Sequence, residues 1–230
     1  MSGPGAAPDF DRELVARYAP QIMFDEREPF LPRRCGASVL RGPGPSPSFR
    51  RALEPPPGGL VVEYAVYWDW DIQHLYDLEH LWVYADGEGR VVDAEGSFHG
   101  RYLKALLPDR GNLEGERLRV WSQPGKHAFS PLPILFRLLP GFAECTTSRA
   151  GEGGALVGGP LEGRVEKPAW LDAAAAAYLR GRAFEPKLEY LPYELPLDIL
   201  VPWEELDREL PAFFAEKAAE LGPDPGAGPA

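Results

Sequence analysis

Apolar and polar positions follow two different rhythms along this chain. Phe10, Leu14, Val15 and Tyr18 recur at helical spacing behind Asp9, a capping residue, and Pro20 ends the pattern; a short amphipathic helix is expected there. From Leu60 to Trp68 the chain becomes dense in β-branched and aromatic residues, and Leu78–Ala85 and Arg90–Phe98 repeat that character around Asp86-Gly87-Glu88-Gly89. This predicts a strand followed by a β-hairpin. Arg117–Ser122 reads as a further strand. Arg41–Gly59, rich in proline and glycine, is expected to be a surface loop, because proline removes backbone donors and glycine adds backbone entropy. Gly151–Gly163 reads as a glycine-rich loop. Pro168–Arg180, with its alanine run, is expected to be a helix, and Glu185–Val201 to be extended. Pro202 should open a helix to Leu210, and Pro211 a second one to Leu221, which Gly222 ends. The pattern describes one mainly β (α+β) domain over residues 1–222 with peripheral helices at both ends, followed by a disordered tail at 223–230.

Composition narrows the classes. At 230 residues and 44% hydrophobic the chain can bury a sizeable core, and its two cysteines, Cys35 and Cys145, are not needed as a scaffold. The opening residues lack the basic start and apolar run of a secretory signal, and no apolar stretch approaches the roughly 20 residues of a bilayer span, so a cytoplasmic location is expected. A formal charge of −11 argues against nucleic acid and anionic lipid as partners and points toward cations. The oligomeric state is not encoded in any pattern.

The acids are unevenly placed. Between Ala52 and Gly89 there is no Lys or Arg, yet Glu54, Glu63, Asp69, Asp71, Asp77, Glu79, Asp86 and Glu88 all lie there. All four histidines, His74, His80, His99 and His127, lie in the central third of the chain. In an extended segment Asp77 and Glu79 project from one face, and His74 can fold back over them. Two carboxylates and an imidazole on one patch are expensive as bare charges but form a usual set for a divalent ion: the oxygens suit Mg, Ca or Mn, and the nitrogen widens the range toward Zn or Fe. A hairpin centred on Gly87-Glu88 sets Glu79 opposite Gly96, with Ala94 and Phe98 on the same face, leaving space for an ion. His80 falls on the other face with Glu95 and His99, where a His80–Glu95 cross-strand pair is expected. Only a bulge near Gly96 would rotate His99 to the ion. Tyr67, Trp68, Trp70, Trp82 and Tyr84 read mainly as core.

His74-Leu75-Tyr76-Asp77-Leu78-Glu79 resembles, in the spacing of His, Asp and Glu, the Gly-His-Arg-His-Asp-Trp-Glu signature of the necrosis-inducing, ethylene-inducing cytolysin-like proteins. Ser97-Phe98-His99-Gly100 is similar to that family's Ser-x-His-Gly, and Gly125-Lys126-His127-Ala128 to its Lys-His-Ala. Ala16-Arg17-Tyr18-Ala19-Pro20 with Phe24-Asp25-Glu26 resembles the related vacuolar-sorting-like branch. The resemblance covers residues 14 to 130 in patches. It implies an antiparallel β-sandwich with Mg or Ca in a surface cavity. His74, Asp77 and Glu79 would be ligands, and Asp69 or Asp71 would match an upstream aspartate. His99, Lys126, His127 and His80 are separate candidates for a ligand-binding surface. The family's toxin activity is not carried over, because Ile72-Gln73 and Leu78 replace its Gly-His-Arg opening and Trp.

Two functions follow. One is a cation-dependent, non-catalytic module that binds a small polar ligand such as a glycan or headgroup. The other is a metal-dependent hydrolase in which Glu79 or His80 moves protons.

Overall fold

A computed structural model describes residues 10–222. Helix α1 (Arg12–Tyr18) is capped by the Asp11 carboxylate, which accepts the Leu14 N–H at 3.0 Å; Asp9, the expected cap, lies outside the described residues. The strands that follow are β1 (Gln21–Asp25), β2 (Arg34–Leu40), the two-residue strands β3 (Gly44–Pro45) and β4 (Ala52–Leu53), β5 (Leu60–Trp70), β6 (His74–Ala85), β7 (Val91–Phe98) and β8 (Arg101–Lys104). After them come β9 (Leu113–Glu114), β10 (Arg117–Ser122), β11 (Phe129–Ser130), α2 (Phe142–Thr146), β12 (Gly154–Ala155), α3 (Leu171–Arg180), β13 (Tyr190–Glu194), β14 (Leu200–Pro202) and α4 (Trp203–Leu221).

These strands form a β-sandwich. The larger sheet runs β14-β2-β5-β6-β7-β8, with β12 joining the start of β6; the smaller runs β11-β10-β1-β13, with β9 on β10. Most pairs are antiparallel, as expected, but β1–β10, β14–β2 and β12–β6 are parallel. Between the sheets lie Val62, Tyr64, Val66 and Trp68 of β5 and Leu81 and Val83 of β6, against Ile22, Phe24, Leu118, Val120 and Phe129 of the smaller sheet. The opposite face of the larger sheet, carrying Tyr67, His80 and Trp82, is covered at one end by α4, where Tyr67 meets Phe213, and at the other by the segment joining β3 and β4, where Phe49 meets Trp82.

Three differences from the sequence reading have local causes. The 41–59 segment is anchored, because the buried Glu63 carboxylate accepts from the Ser46 and Ser48 hydroxyls, the Ser48 N–H and the Trp82 indole. The two expected C-terminal helices are one, α4, running through Pro211. The Asp207 carbonyl, which loses its helical partner at this proline, accepts instead from the Arg164 guanidinium at 2.6 Å. The hairpin pairs Trp82 with Glu95 and Tyr84 with Asp93, with a bulge between Tyr84 and Ala85, so its register differs by two residues from the expected one. Side chains keep their faces, but Gly96 now stands opposite Leu81 instead of Glu79. Its open side is filled: a Cβ there would meet that of Phe129 at 2.9 Å, so no room for an ion exists at Gly96.

Candidate functional site

Trp68 lies opposite Asp77 and Val66 opposite Glu79. The two acids thus continue the inter-sheet row of Leu81 and Val83 toward the end of the sandwich, where the loop between β10 and β11 folds over them. His127 from that loop lies flat on Trp68, with ring centroids 4.4 Å apart and planes 2° from parallel. The loop is shaped by Gly125, whose φ of +68° and approach to Ile72, 2.8 Å from a notional Cβ, suit no other residue. It is tied down by the Ile72 N–H donating to the Gly125 carbonyl at 2.7 Å and the Gly125 N–H donating to Glu28 at 2.7 Å.

The His127 side chain is fully buried between two carboxylates, with Nδ1 3.1 Å from Asp77 Oδ2 and Nε2 3.5 Å from Glu28 Oε1. Nδ1 bonds to Asp77, while Nε2 makes no hydrogen bond but faces the Glu28 carboxylate, and the two carboxylates together favour the doubly protonated ring. Burial works to lower the pKa of His127, but Asp77 and Glu28 reverse this and push it up to about 10. Burial likewise works to raise Asp77, yet the hydrogen bond and charge of His127, with smaller contributions from His74 and Lys126, hold its carboxyl below the ordinary range.

Asp71, also buried, receives the Lys126 ammonium at 2.5 Å and the Gln73 N–H at 2.6 Å, with His74 Nε2 3.7 Å away. His74 turns its Nδ1 to the Tyr76 carbonyl at 2.9 Å. Glu79 accepts from the Ser97 hydroxyl, whose oxygen takes the His80 backbone N–H. Burial, reinforced by the neighbouring Asp77 charge, pushes Glu79 up to about 8, so it carries a proton at neutral pH.

The region thus gathers four acids, Glu28, Asp71, Asp77 and Glu79, around three basic side chains, His74, Lys126 and His127. The oxygen-rich donor chemistry suits a hard divalent ion, while the raised Glu79 owes most to burial and less to the neighbouring Asp77 charge. Among the described residues, however, no three His, Cys, Asp or Glu side chains converge on one point as metal ligands. Lys126 and His127 engage Asp71, Asp77 and Glu28 instead.

Backbone geometry opens this cluster to solvent on one side. Tyr76 adopts a left-handed conformation (φ 53°), and the β5–β6 ladder passes from Trp68–Asp77 to Trp70–Leu75 without a pair at Tyr76. His74 and Asp77 thereby reach a cleft of about 720 Å³ that lies over the outer face of β6, lined also by Phe49, Tyr76, His80 and Trp203. Tyr76, His99 and His127 are three of the five non-glycine residues with positive φ among the described residues. Such strain collects where surroundings hold side chains for a purpose.

The remaining sequence candidates separate. Asp69 points to the α4 side, where Arg33 holds it at 3.0 Å and Lys217 stands 3.7 Å away, so it does not join the cluster. His99 is at the surface, its Nε2 2.8 Å from Gln123 Oε1 and away from Asp77. His80 makes no pair with Glu95, because Arg51, Lys104 and the Tyr84 hydroxyl already occupy that carboxylate. His80 instead stacks on Trp82 (5.6 Å, 9°) with Phe49 at its edge, and burial lowers its pKa to about 4, against smaller opposing effects of the Ser48 backbone and Asp77. The five aromatic residues read as core are all buried. Glu28 is the member the sequence did not single out; it arrives from 97 positions before its Gly125 partner, with no local motif to mark it.

No helix among the described residues is long and apolar enough to cross a membrane. No protein-family model matches the sequence, and no curated protein matches it significantly. Solved structures similar to the chain are of the necrosis- and ethylene-inducing type. One is described as "NLPPya in complex with mannosamine" (18% identity, TM-score 0.38, covering 56% of this chain and 71% of that one). Another is "NLPPya in complex with glucosamine" (17%, 0.37, the same coverage). A third is Necrosis and Ethylene inducing Protein 2 from the causal agent of cocoa's Witches Broom disease (16%, 0.33, 55% and 68%).

Proposed function

We propose that this domain is a non-catalytic binding module that takes a small polar ligand, a glycan or a headgroup, in the cleft walled by His74, Asp77 and His80. The observation that carries the reading is the meeting of that cleft with a buried, charge-dense cluster through the strained Tyr76 turn. Clefts of this volume with a few convergent polar groups and shifted pKa values are where ligands bind. Binding is favoured over hydrolysis because, of the two side chains that would move protons, Glu79 is engaged by Ser97 and His80 is buried against Trp82 and Phe49.

A divalent cation, Mg or Ca ahead of Mn or Zn, is the supplement that the oxygen donors of the cluster would suit. Asp77, Glu79 and His74 would hold it, and Asp71 would join only on release from Lys126. When bound, the ion would neutralise the carboxylates and offer coordination positions to ligand oxygens.

Calorimetric titration with Mg²⁺ and Ca²⁺, followed by N-acetylglucosamine, mannosamine and phosphoethanolamine, tests the reading. Wild-type protein should bind at least one of the organic probes, and Asp77→Asn should weaken it tenfold or more. Failure of every probe, with and without ions, contradicts the module. Turnover of phosphate, glycoside or ester substrates that Glu79→Gln abolishes would establish the hydrolase instead.

A further inference from the structure

The segment that follows β11 turns through a short 3₁₀ helix (Pro133–Leu138) whose Phe136 is fully buried. The Leu135 N–H donates to the Leu132 carbonyl at 3.2 Å and the Leu139 N–H to the Phe136 carbonyl at 3.1 Å, so the turn is held at both ends. It presents three aliphatic side chains to solvent: Leu132, Ile134 and Leu138 are 39%, 51% and 72% exposed. A single exposed leucine is ordinary. Three aliphatics on one fixed turn are apolar surface that association removes from water.

Beside the turn lies a cavity of about 490 Å³, with Phe142 and Ala143 of α2 and Pro186 and Leu188 ahead of β13 as its apolar lining. Two exposed side chains of opposite charge, Arg137 and Glu185, line the same cavity. Among the described residues neither side chain has an ion-pair partner; Glu185 is engaged only through its carbonyl, by Arg27 at 3.1 Å. The face thus carries a protruding leucine, an apolar recess beside it, a cation and an anion. A surface that bears both halves of a contact complements a copy of itself across a two-fold axis, where every contact is made twice. The formal charge of −11 makes copies repel in general. No Asp or Glu lies between Glu116 and Glu144, however, so the turn brings no acid to such a meeting, and Arg137 supplies the counter-charge for Glu185.

We propose that this face is a self-association surface, on which two copies of the chain join about a two-fold axis. Leu138 of each copy enters the cavity of the other, and Arg137 of each pairs with the partner's Glu185. Neither the turn nor the cavity shares a residue with the cleft beside Asp77, so the inference is independent of the binding reading.

Sedimentation velocity of the full chain across micromolar concentrations tests it, with Leu138→Asp, Arg137→Glu, Glu185→Arg and the double variant Arg137→Glu/Glu185→Arg. All three positions are exposed, and an unchanged Tm verifies that each variant is folded. Wild type should pass from monomer to dimer as concentration rises. Leu138→Asp should raise the dissociation constant about a hundredfold or more, because the buried contact is lost twice. Each single charge reversal sets like charges face to face and should weaken the dimer about tenfold or more, whereas the double variant restores opposite signs and should return to within about threefold of wild type. A wild type that stays monomeric, a Leu138→Asp variant that dimerises as wild type does, or a double variant no tighter than the single ones would each overturn the inference. Species larger than a dimer would overturn the two-fold closure. A monomeric wild type that binds phosphatidylcholine vesicles, with Leu138→Asp failing to do so, would assign the turn to a lipid surface and overturn it as well.

Discussion

Replacing His127 by glutamine keeps most of the side-chain volume but removes a buried positive charge from between Glu28 and Asp77. In the wild type the imidazole is raised from 6.5 to about 10. At about 1.4 kcal/mol per pH unit, that interval sets an upper bound near ~5 kcal/mol on the contribution of the charge. Removal of one partner from a buried ion pair costs about 3–5 kcal/mol. The two figures agree on a loss of about 3–5 kcal/mol at pH 6. Because the folded pKa is the higher one, this stability is fully present below 6.5 and disappears as pH rises through about 10. Urea denaturation followed by tryptophan fluorescence, to which the stacked Trp68 contributes, reads the difference at both ends of the window. The gap between wild type and His127→Gln should be about 3–5 kcal/mol at pH 6 and shrink below ~1 kcal/mol above pH 10. A gap under ~1 kcal/mol at pH 6, or one that does not change with pH, would refute the buried imidazolium.

Glu79 follows the same pH direction at lower pH. Its pKa is raised from 4.5 to about 8, so its contribution is present below pH 4.5 and lost as pH rises through about 8. Glu79→Gln should therefore be more stable than wild type at pH 8.5 by a few kcal/mol, with the advantage gone at pH 4; chemical denaturation at the two pH values checks this. Gly125→Ala forces a Cβ onto Ile72 at a positive φ and should cost at least ~2 kcal/mol, visible as a lower Tm. Tyr76→Phe removes the hydroxyl that donates to the Gly158 carbonyl at 2.5 Å, and hydrogen exchange should speed up in residues 156–163 beside the cleft without a change in the β-sheet amides.

The hairpin and the shared face of Asp77 and Glu79 were legible because strand periodicity is local, and a register error of two residues leaves faces intact. The same error misplaced the space at Gly96, since which residue stands opposite depends on a bulge at Tyr84/Ala85 that no turn residue announces. Charge partners were the least legible. The chain between Ala52 and Gly89 carries no base, but Lys126 and His127 reach it from a loop about 50 residues on, and Arg33 and Lys217 draw Asp69 to the other face. The sequence suggested an ion for a deficit that the fold itself meets in part. Pro211 illustrates the same limit, since a distant Arg164 supports the carbonyl the proline leaves free.

The central claim, that the cleft beside Asp77 receives a polar ligand with a divalent ion, is tested most directly by a high-resolution crystal structure grown with Ca²⁺ and soaked with N-acetylglucosamine. The account predicts sugar density between His74, Asp77 and His80, with a calcium ion against Asp77 and Glu79. An empty cleft in crystals whose lattice leaves it open, with Lys126 and His127 still holding Asp71 and Asp77, would contradict it.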